Sequence, residues 1–197
     1  QLIEANADRH LLSEQYRSNI ESVKDLIDLQ LEFALDVASR INAKITPEEE
    51  EEMARLPTEN PAAYHLFLQA WAHREMGYYS RRSYNNQQYN AEVIKAKELF
   101  QKAIALDSTF SEALTALGHI YMDNFYFDNP GFEVQYNDTA IKLFNEALKH
   151  DPENKYALRM KYNYFMRNAE FEKAEKMESL VFSSKDHMHY WRKFRFY

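Results

Sequence analysis

The chain has 197 residues, 45% of them hydrophobic and 28% charged, the balance of an ordinary globular protein of one domain or two small ones. A net charge of −7 leaves little counter-charge for bulk attraction to nucleic acid or an anionic membrane, and the absence of cysteine excludes disulfides, thiol nucleophiles and Cys-based zinc sites. No apolar run approaches the ~20 residues of a membrane helix, nothing in the first residues reads as a signal peptide, and three glycines leave little room for phosphate-cradling loops or many hairpins.

In chain order, Leu2, Ile3 and Ala5 precede the turn-like Asn6-Ala7-Asp8-Arg9, and Leu11, Leu12 and Tyr16 follow, which reads as a short β-hairpin. A lone hairpin is only marginally stable. It is expected either as a piece cut from a larger sheet or as a capping ribbon on a helical domain. A long amphipathic helix comes next, capped by Ser18 or Asn19, with Ile20, Val23, Ile27, Leu31, Ala34, Ala38 and Ile41 forming one apolar stripe. Thr46-Pro47-Glu48-Glu49 opens a second, short helix: Thr46 caps, Pro47 takes the first helical position, and the acids suit the helix N-terminus. The run Glu48 to Glu52 therefore reads as a solvated helix start rather than a metal site. Pro57 and Pro61 bracket a connector, which divides the chain into residues 1–60 and 61–197.

The second part repeats itself. Leu114, Leu117, Gly118 and Tyr121, then Ala140, Phe144, Ala147 and Pro152, follow the spacing of a tetratricopeptide repeat. Small residues at Gly118 and Ala140 let paired helices approach, Phe144 fills the space between neighbouring repeats, and Pro152 stops the second helix. Ala96, Phe100 and Ala103 repeat the second-helix half, with Ser108 where the pattern wants proline. The matching first helix runs from Ala63 to about Met76, with Tyr64 and Trp71 as its large residues and no glycine at the close contact. A degenerate third copy begins at Ala157-Leu158 and pairs with Ala174; a last helix is expected over His189 to Phe194. The predicted fold is thus all-α: a solenoid of about three helix pairs, preceded by the hairpin and the long helix.

Two repeats are stretched between their helices, and the insertions are aromatic. One carries Tyr78, Tyr79, Tyr84 and Tyr89, the other Phe125, Tyr126, Phe127, Phe132 and Tyr136. They read either as a composite rim for a peptide or sugar-like ligand, or as lengthened helices whose aromatics pack on each other.

The segment before the repeats is more particular. Gln1-Leu2-Ile3-Glu4-Ala5, His10 to Arg17, Asp28-Leu29-Gln30, Ile45 to Glu49, and Pro57-Thr58-x-Asn60-Pro61-x-Ala63-Tyr64 occur in order. Together they resemble the junction between a small TolB/FlgO-like α/β domain and tetratricopeptide repeats in bacterial signalling proteins; Leu12 stands where that pattern usually has Trp. The resemblance implies a sensory part behind an AraC-type or winged-helix DNA-binding domain, or an adenylate cyclase domain, with the AraC-type transcription regulator favoured. It implies that the upstream half of the α/β domain is cut away. It also implies a parent protein that binds DNA and is membrane-anchored, with this part on the extracytoplasmic side, or in the cytoplasm as the alternative.

No catalytic constellation is present: no G-x-S-x-G, no H-E-x-x-H, no P-loop. His187 and His189, two apart, point to different faces of a helix, and Asp123, Asp128 and Asp138 are too irregular for a calcium loop, so no metal or cofactor is expected. The chemistry is instead expected in a groove lined by one face of each first helix: His65, Gln69 and His73; Thr115, His119, Met122 and Asp123; Tyr156, Arg159, Asn163 and Arg167. Arg159 and Arg167 are suited to a carboxylate such as a peptide C-terminus, and His65, His73 and His119 to pH sensing. The competing explanation is the wet side of an amphipathic helix. The sequence therefore predicts a non-enzymatic sensing domain that binds a protein, peptide or small-molecule signal and relays it to a DNA-binding domain, without contacting nucleic acid itself. A scaffold joining partner proteins and a glycan-binding module are the alternatives.

Overall fold

The computed structural model describes residues 2–4, 9–12, 19–82, 86–124 and 135–182. The fold is all-α apart from a short ribbon: β1 (Leu2–Glu4) pairs antiparallel with β2 (Arg9–Leu12), Ile3 opposite His10, with a bulge beside Leu2. The chain divides into two compact units, residues 1–64 and 65–197.

In the first unit the long helix α1 spans Val23–Arg40. Its cap is Ser22, not Ser18 or Asn19. Ser18 lies outside the described residues, and the deciding feature is Asp25, whose carboxylate accepts from the Ser22 amide at 2.8 Å while Ser22 Oγ accepts from the Asp25 amide at 3.2 Å. This reciprocal pair satisfies two N–H groups that a bare helix end would leave open. The expected apolar stripe is consequently shorter. Val23, Ile27 and Ala38 are buried, whereas Ile20 precedes the helix and Ile41 follows it, both about half exposed. Helix α2 spans Pro47–Met53 with the same box built from Thr46 and Glu49; none of its residues is buried.

The second unit contains most of helix α3 (Pro61–Arg82), then α4 (Asn86–Leu106), α5 (Ser111–Asn124), α6 (Gln135–His150), α7 (Lys155–Arg167) and α8 (Phe171–Val181). α3 and α4 are antiparallel, since Phe67 meets Phe100 with ring centroids 5.7 Å apart while Gly77 further along α3 meets Val93. α5 and α6 are antiparallel too, with Ser111 bonded to Ala147 and Gly118 against Phe144. A continuous core runs through them, built on Ala96, Phe100, Leu117, Ile120, Ala140, Phe144, Met160 and Tyr164. Alanine at 96, 140, 157 and 174 is wholly buried; a methyl there lets helix axes approach while larger residues fill the gaps.

Gly118 is the tightest of these approaches. A Cβ there would stand 2.6 Å from Phe144 Cε1. The first pair has its own close approach at a different position from the repeat pattern's: Leu68 stands where the second repeat has Gly118, while Gly77, one residue beyond the helix end placed at Met76, lies where a Cβ would be 3.3 Å from Val93 Cγ2. It escaped notice because α3 continues to Arg82 and α4 begins at Asn86, so residues read as an insertion are largely extra helical turns.

The links are local and repeated. Asp107 Oδ1 accepts from the Thr109 amide at 2.9 Å, and Asp151 Oδ1 from the Glu153 amide at 3.1 Å. These Asx turns bend the chain without requiring proline, which explains why Ser108 can stand where the other link has Pro152. Asn60 caps α3 through the Ala63 amide at 3.0 Å, and Asn154 caps α7 through the Ala157 amide at 2.9 Å. Asn154 also donates to buried Ser111 Oγ at 2.9 Å, which in turn donates to the Ala147 carbonyl at 3.0 Å. One side chain thereby ties the ends of α5, α6 and α7 together.

Candidate functional site

Three helices, α3, α5 and α7, meet along one face through polar and aromatic side chains. On α3, Trp71 and Arg74 lie one turn apart, and the guanidinium sits 4.9 Å above the indole centroid. Arg74 Nη2 reaches across to His119 Nδ1 on α5 at 2.9 Å. The same nitrogen is 2.8 Å from the Tyr156 hydroxyl on α7. The other ring nitrogen, Nε2, is 3.2 Å from Asp123 Oδ2, one turn further along α5, and Arg167 Nη1 on α7 approaches the other Asp123 oxygen at 3.3 Å. The Tyr156 ring stands edge-on to Trp71 and to His119, each with centroids 6.0 Å apart. The result is a chain of charge and hydrogen bonds, Arg74–His119–Asp123–Arg167, backed by two aromatic rings.

The electrostatics follow from this geometry. Burial works against a charge on Asp123, but the His119 hydrogen bond and the neighbouring guanidinium charges of Arg167 and Arg74 outweigh it and hold the carboxyl below its usual range. Burial pushes the Tyr156 phenol up to about 12, with Arg74 opposing and Asp123 reinforcing the shift. Tyr156 is therefore a neutral hydroxyl at any physiological pH, and it can donate or accept.

Of the residues expected in the groove, His119, Asp123, Tyr156 and Arg167 are brought together here. Arg159 is exposed and Asn163 half-buried on α7, and neither has a hydrogen-bond partner among the described residues. Two turns, about 12 Å, separate Arg159 from Arg167 on the helix, and Arg167 is already engaged by Asp123. His65 and Gln69 bond to one another at 3.0 Å on an exposed part of α3. His73 turns to α4 instead, with Nδ1 2.7 Å from Glu92. Two expectations are corrected outright. Thr115 is wholly buried, its hydroxyl donating to the Ser111 carbonyl at 2.8 Å, and Met122 is a core side chain at 1% exposure. Neither is open to a ligand.

Trp71 and Arg74 are the residues that the sequence reading missed. Stepping by four from His65 through Gln69 to His73 follows one edge of α3. The inward face is instead Phe67, which meets Phe100 and Phe110, with Trp71 and Arg74, which reach α7 and α5, at steps of four and three, and the aromatic pair was the available signal. Of the aromatic insertions, Tyr78 and Tyr79 are exposed on α3 with their rings edge-to-face at 6.4 Å, and Tyr89 packs against the core. Tyr136 lies in the first turn of α6, whereas Tyr84, Phe125, Tyr126, Phe127 and Phe132 lie outside the described residues, as do His187, His189 and the last helix expected at His189 to Phe194.

Among the described residues no cluster of His, Asp and Glu is arranged to hold a metal ion, and no helix is long and apolar enough to cross a membrane. No protein-family model matches the chain, and no curated protein matches it significantly.

Proposed function

We propose that residues 61–197 form a tetratricopeptide-type solenoid that binds a peptide or small-molecule signal on the face shared by α3, α5 and α7, as the non-enzymatic sensing part of a bacterial transcription regulator. The observation that supports this reading is the convergence of Trp71, Arg74, His119, Asp123, Tyr156 and Arg167 from three separate helices onto one partly exposed face. Simple helix glue needs no such density of paired charge, since apolar contacts hold helices together at lower desolvation cost. Arg159, exposed beside this cluster and without a hydrogen-bond partner among the described residues, is the cation best placed to receive a carboxylate.

The test is fluorescence anisotropy against two matched peptide libraries, one with free C-terminal carboxylates and one amidated. The expected result is selective binding of free carboxylates, abolished by Arg159→Ala with an unchanged melting temperature. Equal binding of both libraries by the wild type, or carboxylate binding that survives Arg159→Ala, refutes this placement. The exposed Tyr78–Tyr79 pair keeps one second reading in play, a sugar-binding surface, which a glycan array screens directly.

A further inference from the structure

The outer polar pairs of the second unit join groups with complementary donors and acceptors, but His119 is held in a way that only one protonation state satisfies. A guanidinium has five N–H donors and no acceptor. Arg74 Nη2, 2.9 Å from His119 Nδ1, therefore requires a lone pair on that nitrogen. The ring proton then belongs on Nε2, where it faces Asp123 Oδ2 at 3.2 Å. Neutral imidazole in this tautomer bridges a cation on α3 to an anion on its own helix, with the Tyr156 hydroxyl from α7 standing 2.8 Å from the same Nδ1.

We propose that His119 is a proton-operated latch that holds α3 against α5 when neutral and releases Arg74 when protonated. Adding a proton to Nδ1 turns the acceptor into a donor and sets an imidazolium against a guanidinium. Tyr156 can turn its oxygen to accept from the new N–H, and Asp123 gains a fully charged partner, so the contacts between α5 and α7 persist. On α5 the other acceptor in the field of Arg74 is Asp123, whose two oxygens are already engaged by His119 and Arg167. Arg74 keeps its stacking on Trp71 and its contact with Glu75 at 3.2 Å, both on α3. Protonation therefore acts asymmetrically, loosening the first helix pair from the second.

The charged groups around the ring fix the sign. From α3 comes Arg74, with Glu75 on its far side; on α5 itself, Asp123; from α7, Tyr156, Arg159 beside it, and Arg167 acting through Asp123. His73 faces Glu92 on α4 instead, where an added proton would complete an ion pair. It works in the opposite direction and leaves α5 untouched. The latch stands independently of any ligand on this face.

The test uses the full chain and two readouts. Imidazole nitrogen shifts at pH 8 give the tautomer, with protonated Nε2 expected at His119. Residue-resolved amide exchange between about pH 8 and 5, corrected for intrinsic rates, gives the mechanical consequence. Amides of α3 around Arg74 are expected to lose about tenfold in protection as the pH falls, the scale of one hydrogen bond to a charged group, while those of α7 hold. Arg74→Gln, which removes the second positive charge but can still bond, is expected to abolish the acid-dependent loss. His73→Gln is expected to leave it in place. A proton on Nδ1 at pH 8, equal behaviour of α3 and α7, or an acid-dependent loss that persists in Arg74→Gln would overturn the proposal.

Discussion

Gly118→Ala tests the packing logic on which the repeats rest. Two effects oppose one another. Alanine is the better helix former by about 1 kcal/mol in a helix interior, which favours the substitution. Against it, the new methyl would stand 2.6 Å from Phe144 Cε1, 2.9 Å from Cδ1 and 3.2 Å from Leu143 Cβ. The Phe144 ring is wholly buried among core residues, so it has no free volume to retreat into. Forcing a methylene-sized group into such a site costs roughly 1–3 kcal/mol, more where a ring must leave its rotamer. The expected net effect is a destabilisation of about 1–2 kcal/mol.

Gly77→Ala is the internal control. There the methyl would meet Val93 Cγ2 at 3.3 Å and Glu92 Cβ at 3.4 Å, which a shift of a few tenths of an ångström relieves. Helix propensity then roughly offsets the strain, and the expected change stays within about 0.5 kcal/mol. Urea denaturation followed by far-ultraviolet circular dichroism measures both, with the slope checked for constancy. The double variant Gly118→Ala/Phe144→Leu closes a thermodynamic cycle, and a coupling energy of about 1 kcal/mol in the relieving direction is expected. A stabilised Gly118→Ala, or equal losses at both glycines, would refute the reasoning.

The remaining predictions are briefer. Because the Tyr156 phenol is pushed from 10 up to about 12, its neutral form stabilises the fold fully below pH 10, and that stability is lost as the pH rises through 12. Stability curves between about pH 9 and 12 should show wild type falling by about 2 kcal/mol relative to Tyr156→Phe, and parallel curves would show that the phenol is not buried as described. Asn154→Ala removes a helix cap and the bond that buried Ser111 Oγ accepts, leaving Ser111 only its bond to the Ala147 carbonyl; a loss of about 2–3 kcal/mol is expected in the same denaturation assay. A loss under about 1 kcal/mol would mean that water replaces the amide.

Much of the fold was legible because its determinants are local. Thr46-Pro47 and Glu49 form a capping box from four neighbouring residues, and Gly118 with Phe144 declares a small-against-large contact through residue type and spacing alone. The shift of the α1 cap to Ser22 was equally local, since Asp25 three residues on was the signal. Composition alone pointed to helix. What the sequence could not set was the rotation of each helix about its axis. A helical period says which residues share a face, but not which face meets a neighbour. Stepping from His65 to His73 and stepping from Phe67 to Arg74 are equally regular, and only packing chose the second. Thr115 and Met122 share a face with nothing in the sequence to show that another helix covers it. The central contact, Arg74 to His119, joins residues 45 positions apart. No local rule reaches that far, because it depends on how three helices are laid side by side, and that is decided by the core they bury together.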